Sequence, residues 1–130
     1  MTAPTEQASV RYIVDDVPSA TDFYTKHLGF TVAFDAPVFA DVRRGALRLL
    51  LSGPATSGAR ATPADAAVAG RNRIHLIVAD LDAEIERLRA AGLTFRSDLV
   101  SGPGGRQILI ADPAGNLVEL FEAAARPANQ

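Results

Sequence analysis

The sequence predicts an α+β fold built from two copies of one βαβββ plan, and three observations carry that expectation. Residues 9 to 30, SVRYIVDDVPSATDFYTKHLGF, repeat in outline as residues 73 to 93, RIHLIVADLDAEIERLRAAGL. Each copy runs from an apolar strand pattern through an Asp-apolar pair, Asp16-Val17 or Asp80-Leu81, into a helical pattern that stops at Gly29-Phe30 or Gly92-Leu93. Three strand-like stretches follow each copy, and residues 53 to 72 between them are rich in Gly, Pro, Ala and Thr with no sustained apolar period. Module one therefore spans 9–52, a linker 53–72, and module two 73–122, all within a single domain covering residues 1–130.

In chain order, the first strand alternates and leads to a helix whose buried face is Ala20, Phe23, Tyr24 and Leu28. Ser19 and Asp16 compete for its N-cap, and Gly29 suits its C-terminal stop. His27, at the end of that helix, reads as a surface residue near the negative end of the helix dipole. Phe23 and Tyr24 read as packing aromatics, not catalytic groups. TVAFDA, VFADVRRG and ALRLLLSG follow as strands. Arg43 and Arg44 must point to opposite faces. The linker has room for one short helical turn near Pro63 to Val68.

In the second half the helix buries Ala83, Ile85, Leu88 and Ala91, is capped by Asp80 or Asp82, and stops at Gly92. TFRSDLV, RQILIAD and NLVELFE are its three strands. SGPGG at 101–105 is a flexible hairpin connection, since no helix bearing Lys-Ser or Lys-Thr follows to make a phosphate loop. DPAGN at 112–116 is a turn in which Asp112 has a structural part. Neither half can cover its sheet alone. Two such sheets side by side would enclose a concave trough with the helices outside.

Composition excludes several classes. A net charge of -2, from 13 basic and 15 acidic residues, provides no field for nucleic acid. The absence of cysteine rules out disulfides, thiolate nucleophiles and zinc-thiolate sites. The N-terminal MTAPTEQAS is polar, and no apolar run reaches the ~20 residues that span a bilayer. A cytoplasmic protein with no membrane partner is the expectation.

The order of elements, with VPSATDFYTKHLGF and DPAGNLVEL in their places, resembles the vicinal oxygen chelate superfamily, which includes glyoxalase I, extradiol dioxygenases and bleomycin-resistance proteins. The resemblance covers residues 9 to 122. It implies two βαβββ modules forming an open, U-shaped mixed sheet around a cavity. In metal-dependent members each module supplies one ligand from its first strand, usually His, and one from its last, usually Glu. The corresponding positions here are Ser9, Leu49, Arg73 and Glu119, the last-strand pair being found by aligning Gly45-Ala46-Leu47 with Gly115-Asn116-Leu117. Of these only Glu119 suits a divalent cation, and a guanidinium repels one. Neither a metal nor another cofactor is therefore expected.

Strand alternation then places Arg73, His75 and Ile77 together in the trough, with Leu117, Glu119 and Phe121. The same logic places Ser9, Arg11 and Ile13 with Leu47, Leu49 and Leu51. The expected ligand-binding set is Arg11, Leu49, Arg73, His75, Glu119 and Phe121, a mostly apolar lining with a few orienting polar groups. Arg73 is expected to pair with Glu119 and to recognise a ligand, or merely to neutralise that carboxylate, or else one of the two reaches solvent at a sheet edge. The leading functional reading is a metal-independent binder of a hydrophobic or aromatic small molecule, possessing the logic of the bleomycin-resistance proteins and forming a homodimer. The alternative is a lyase, isomerase or dioxygenase-like enzyme using His75 and Glu119 as catalytic candidates, with or without a divalent metal. A third is a structural or regulatory partner with a vestigial cavity.

Overall fold

The structure is a computed structural model that describes residues 9–65 and 68–125. The chain divides into two compact units. Of the described residues, one holds 9–65 and 68–71 together with Asp112–Gly115, and the other holds Asn72–Ala111 and 116–125.

In the first unit β1 (Ser9–Ile13) leads to α1 (Val17–His27), and β2 (Thr31–Ala36), β3 (Phe39–Arg44) and β4 (Leu47–Ser52) follow. They form a four-stranded mixed sheet in the order β1-β4-β3-β2, with β1 parallel to β4 and the rest antiparallel. After α2 (Ser57–Ala61), the second unit repeats the plan: β5 (Arg73–Ile77), α3 (Leu81–Ala90), β6 (Val100–Gly102), β7 (Gly105–Ala111) and β8 (Leu117–Ala123), in sheet order β5-β8-β7-β6. The α+β class and the two βαβββ modules are as the repeat predicts.

Local chemistry accounts for the helix ends. The Asp16 carboxylate accepts the Ser19 amide at 3.1 Å and the Asp80 carboxylate accepts that of Ala83 at 3.0 Å, so the aspartates win both caps. At the other ends Gly29 and Gly92 adopt φ of +73° and +87°. This left-handed turn lets the Phe30 amide reach the Tyr24 carbonyl and the Leu93 amide reach that of Leu88, each at 3.1 Å.

Each sheet buries one face under its helix. Ala20, Phe23, Tyr24 and Leu28 of the α1 segment are buried as expected, against a sheet face that includes Tyr12, Val42, Leu49 and Leu51. Burying each large apolar side chain fully contributes ~1.5–3 kcal/mol. The buried stripe of α3 is Leu81, Ile85 and Leu88, whereas Ala83 and Ala91 are exposed. The i, i+4, i+7 spacing aligns the three larger side chains, which have more apolar area to hide.

Two further expectations change. The linker helix lies at Ser57–Ala61, not near Pro63 to Val68; Ala64 and Asp65 form a turn, and residues 66–67 fall outside the described residues. Thr56 starts the helix by accepting the Ala59 amide at 3.3 Å. TFRSDLV is mostly not a strand either. Phe95 makes one bridge to Ile110, the Ser97 hydroxyl then takes the Leu109 amide at 3.0 Å, and regular pairing resumes only at Val100. A side chain there replaces the backbone partner that a continuous strand requires.

Candidate functional site

The alternation of β5 decides what its open face carries. Ile74 and Leu76 are buried under α3, so Arg73, His75 and Ile77 stand on the uncovered side. Parallel pairing sets Arg73 beside Leu117, His75 beside Glu119 and Ile77 beside Phe121. On the other flank of β8, Gln107, Leu109 and Ala111 of β7 lie beside Phe121, Glu119 and Leu117. The result is an open face of apolar side chains around one cluster of charge.

In that cluster Arg73 Nη2 donates to Glu119 Oε1 at 2.7 Å, and His75 Nε2 lies 3.5 Å from Glu119 Oε2. The pairing of Arg73 with Glu119 expected from the sequence is therefore present. The Glu119 side chain is 13% exposed while that of Arg73 is 47% exposed. The carboxylate is thus mostly enclosed, whereas the guanidinium keeps an accessible edge. The His75 ring lies 4.9 Å from the Phe121 ring, tilted by 39°, which extends the apolar surface beside the charges.

The donor set on this face does not fit a divalent ion. A metal site takes about three protein ligands and a catalytic one also keeps an open position. Here His75 and Glu119 are accompanied by a guanidinium already bonded to the carboxylate. Among the described residues no group of three or more His, Asp or Glu side chains is placed to hold a metal ion.

The open face of the first sheet differs from expectation. Ser9, Arg11 and Ile13 stand beside Arg48, Leu50 and Ser52, so Leu50 occupies the place corresponding to Glu119. Leu49, expected in the ligand-binding set, pairs with Val10 on the opposite face and is fully buried, as is Leu51. The error lies in the hairpins. Arg44 pairs with Leu47 across Gly45-Ala46, whereas Ala111 pairs with Leu117 across residues 112–116. Matching the turns by their glycines shifts the register by one residue, which exchanges the two faces.

This face is also more charged than the apolar lining expected. Asp41, 4% exposed, receives Arg43 Nη2 at 3.0 Å and Arg48 Nε at 2.9 Å. The hydrogen bonds from Arg43, followed by those and the charge of Arg48, hold its carboxyl below the usual range. Asp41-x-Arg43 on an alternating strand was the available signal for this cluster. Arg11 donates to Ser52 Oγ at 2.7 Å. Arg44 points the other way, to the Leu28 carbonyl at 2.9 Å, so the two consecutive arginines do alternate.

Asp112 has a structural part. It is buried, accepts the Tyr24 hydroxyl at 2.9 Å and caps its own turn through the Ala114 amide at 2.9 Å. Burial first, and then the charge of Asp112, push both Tyr24 and Tyr12 well above the ordinary phenol range.

Two βαβββ modules, each leaving a sheet face open with a few charges among apolar side chains, define a class of scaffold that serves both binders and catalysts. The family model for the Glyoxalase/Bleomycin resistance protein/Dioxygenase superfamily matches residues 7–120, and the chain belongs to that superfamily. Among solved structures, it is similar to TnmS3, an antibiotic binding protein from Streptomyces sp. CB03234, at 25% identity and a TM-score of 0.74, covering 95% of this chain and 100% of that one. It is similar to the bleomycin-binding protein of Streptomyces verticillus, solved with copper(II)-bleomycin, at 26% identity and a TM-score of 0.66 with the same coverages. The fold is shared with lactoylglutathione lyase from Agrobacterium tumefaciens, at 24% identity and a TM-score of 0.74 over 93% of this chain and 96% of that one. No curated protein sequence matches the chain significantly. No described helix is long and apolar enough to cross a membrane.

Proposed function

We propose that this protein binds a hydrophobic or aromatic small molecule on the open face of the second sheet, without a metal and without transforming it. The Arg73–Glu119 pair carries the reading. A guanidinium bonded to the one good metal-ligating carboxylate removes that oxygen from metal chemistry and leaves other N–H donors for a ligand. Phe121, His75 and the 67% exposed Ile77 supply the apolar contact beside it. The described functions of the two Streptomyces neighbours, antibiotic binding and bleomycin binding, support the same class. The proposal includes a homodimer in the cytoplasm.

The test uses 8-anilinonaphthalene-1-sulfonate as a fluorescent aromatic probe, with metal analysis of protein purified without chelators. The unsubstituted protein should hold no stoichiometric divalent ion, and Arg73→Ala should weaken probe binding. A tightly held ion, or binding indifferent to that substitution, would overturn the proposal.

One observation favours a second reading. His75 Nε2 at 3.5 Å from Glu119 is close enough for proton transfer to a bound molecule to involve both groups. Under that enzymatic reading His75→Ala abolishes turnover of a substrate that the protein still binds.

A further inference from the structure

The first unit contains a recess lined by its own residues. It measures about 380 Å³ and is lined by Arg11, Phe39, Thr56, Ser57 and Gly58. Such a volume lies within the range of small-molecule sites.

Its floor is a guanidinium with spare capacity. Arg11 donates one N–H bond, to Ser52 Oγ at 2.7 Å, and among the described residues no carboxylate pairs with it. Arg43 and Arg48 share Asp41, and Arg73 has Glu119. Asp41 lies in the same cross-strand row as Arg11, separated from it by Leu50, and is already engaged by its two arginines. Counting Arg11, Arg43 and Arg48 against Asp41, three positive charges less one negative, the open face carries +2. An anion gains from this field.

The walls are held in place by the start of α2. Thr56 Oγ1 donates to the Gly53 carbonyl at 2.8 Å and accepts from Ala59, which ties that helix to the end of β4. A Cβ at position 58 would overlap the Arg11 guanidinium where it stands, so with glycine there the two lie in close contact. Phe39 stands beside Ser52 on the same face and offers an apolar wall. The exposed Ser57 contributes a hydroxyl at the rim.

We infer that this recess binds a single-ring aromatic carboxylate, its carboxylate on the unused N–H groups of Arg11 and its ring against Phe39. A planar fork of donors matches a carboxylate in two-point contact, and the apolar wall and the volume exceed what a bare inorganic ion would use.

The experiment is a titration of the 15N-labelled full chain with benzoate, benzamide or acetate at constant ionic strength, followed by amide chemical shifts. Benzoate should give saturable shifts at Phe39, Ser57 and Gly58. Benzamide, which lacks the charge, and acetate, which lacks the ring, should each bind about tenfold more weakly or worse. Arg11→Gln should lose the benzoate shifts at Phe39, Ser57 and Gly58, while Lys26→Gln, which removes one exposed positive charge of α1, retains them. Equal binding of benzamide and benzoate, non-saturating shifts, or shifts confined to β5 and β8 would overturn the inference. If Arg11→Gln loses the amide dispersion of a folded chain, the comparison of the three probes on the unsubstituted protein decides the matter alone.

Discussion

Arg73 reaches Glu119 diagonally, at 2.7 Å, although the residue directly beside Glu119 in the sheet is His75. The longer side chain takes the shorter contact, leaving the imidazole at 3.5 Å from the other carboxylate oxygen. Because Arg73 is about half exposed, the pair contributes little to folding: exposed ion pairs typically contribute ~0–1 kcal/mol. Arg73→Ala should therefore shift the urea-unfolding free energy by no more than about 1 kcal/mol. A loss above about 3 kcal/mol would mean that Glu119 behaves as a buried charge stranded without its partner, and the pair would then be structural.

Tyr24 and Asp112 present the opposite balance. Their hydrogen bond is buried, and Tyr24→Phe would leave one Asp112 oxygen without this donor. The substitution should cost about 1–3 kcal/mol of unfolding free energy in urea, while leaving ligand binding on the second sheet unchanged. A neutral result would show that water replaces the phenol freely.

The two tyrosines of the chain are also its alkaline sensor. Their folded pKa values are raised, so the stability they contribute is fully present below the unfolded value near 10 and is lost as pH rises toward the folded values. Absorbance at 295 nm should stay at the neutral-phenol level past pH ~10 and rise only together with loss of the far-ultraviolet circular dichroism. A gradual rise in the still-folded protein would show that at least one ring reaches water.

On the acid side Asp41 acts with the reverse sign. Its folded pKa is lowered by Arg43 and Arg48, so its contribution is present above the unfolded value of 3.8 and disappears as pH falls through the depressed folded value. Asp41→Asn should reduce stability at neutral pH and flatten the decline of the urea midpoint below pH ~4. Parallel curves for the two proteins would show that other carboxylates set the acid limb.

Much of this was legible along the chain. The Asp caps, the Gly stops and the alternation of RIHLI and LVELF are written in adjacent residues, so both helices and the Arg73, His75, Glu119 face followed without tertiary information. Leu49 shows where local reading ended. Two hairpins of unequal length look alike at their glycines, but the partner strand, not the turn, sets which face a residue takes. The Asp41 cluster depends on Arg48 from another strand, and Arg11 lies against Gly58, a residue 47 positions further along the chain.

The repeated βαβββ plan and the charged groups of β5 and β8 can be read along the chain, because caps, turns and strand periodicity act over a few bonds. Tertiary structure decided that Leu50 rather than Leu49 faces the open side, that Asp41 is shared by two arginines, and that Arg11 lies beneath a glycine with donors to spare. Those outcomes rest on hydrogen-bond register and packing between residues far apart in the chain. No local pattern encodes them singly, because each depends on where a different segment comes to rest.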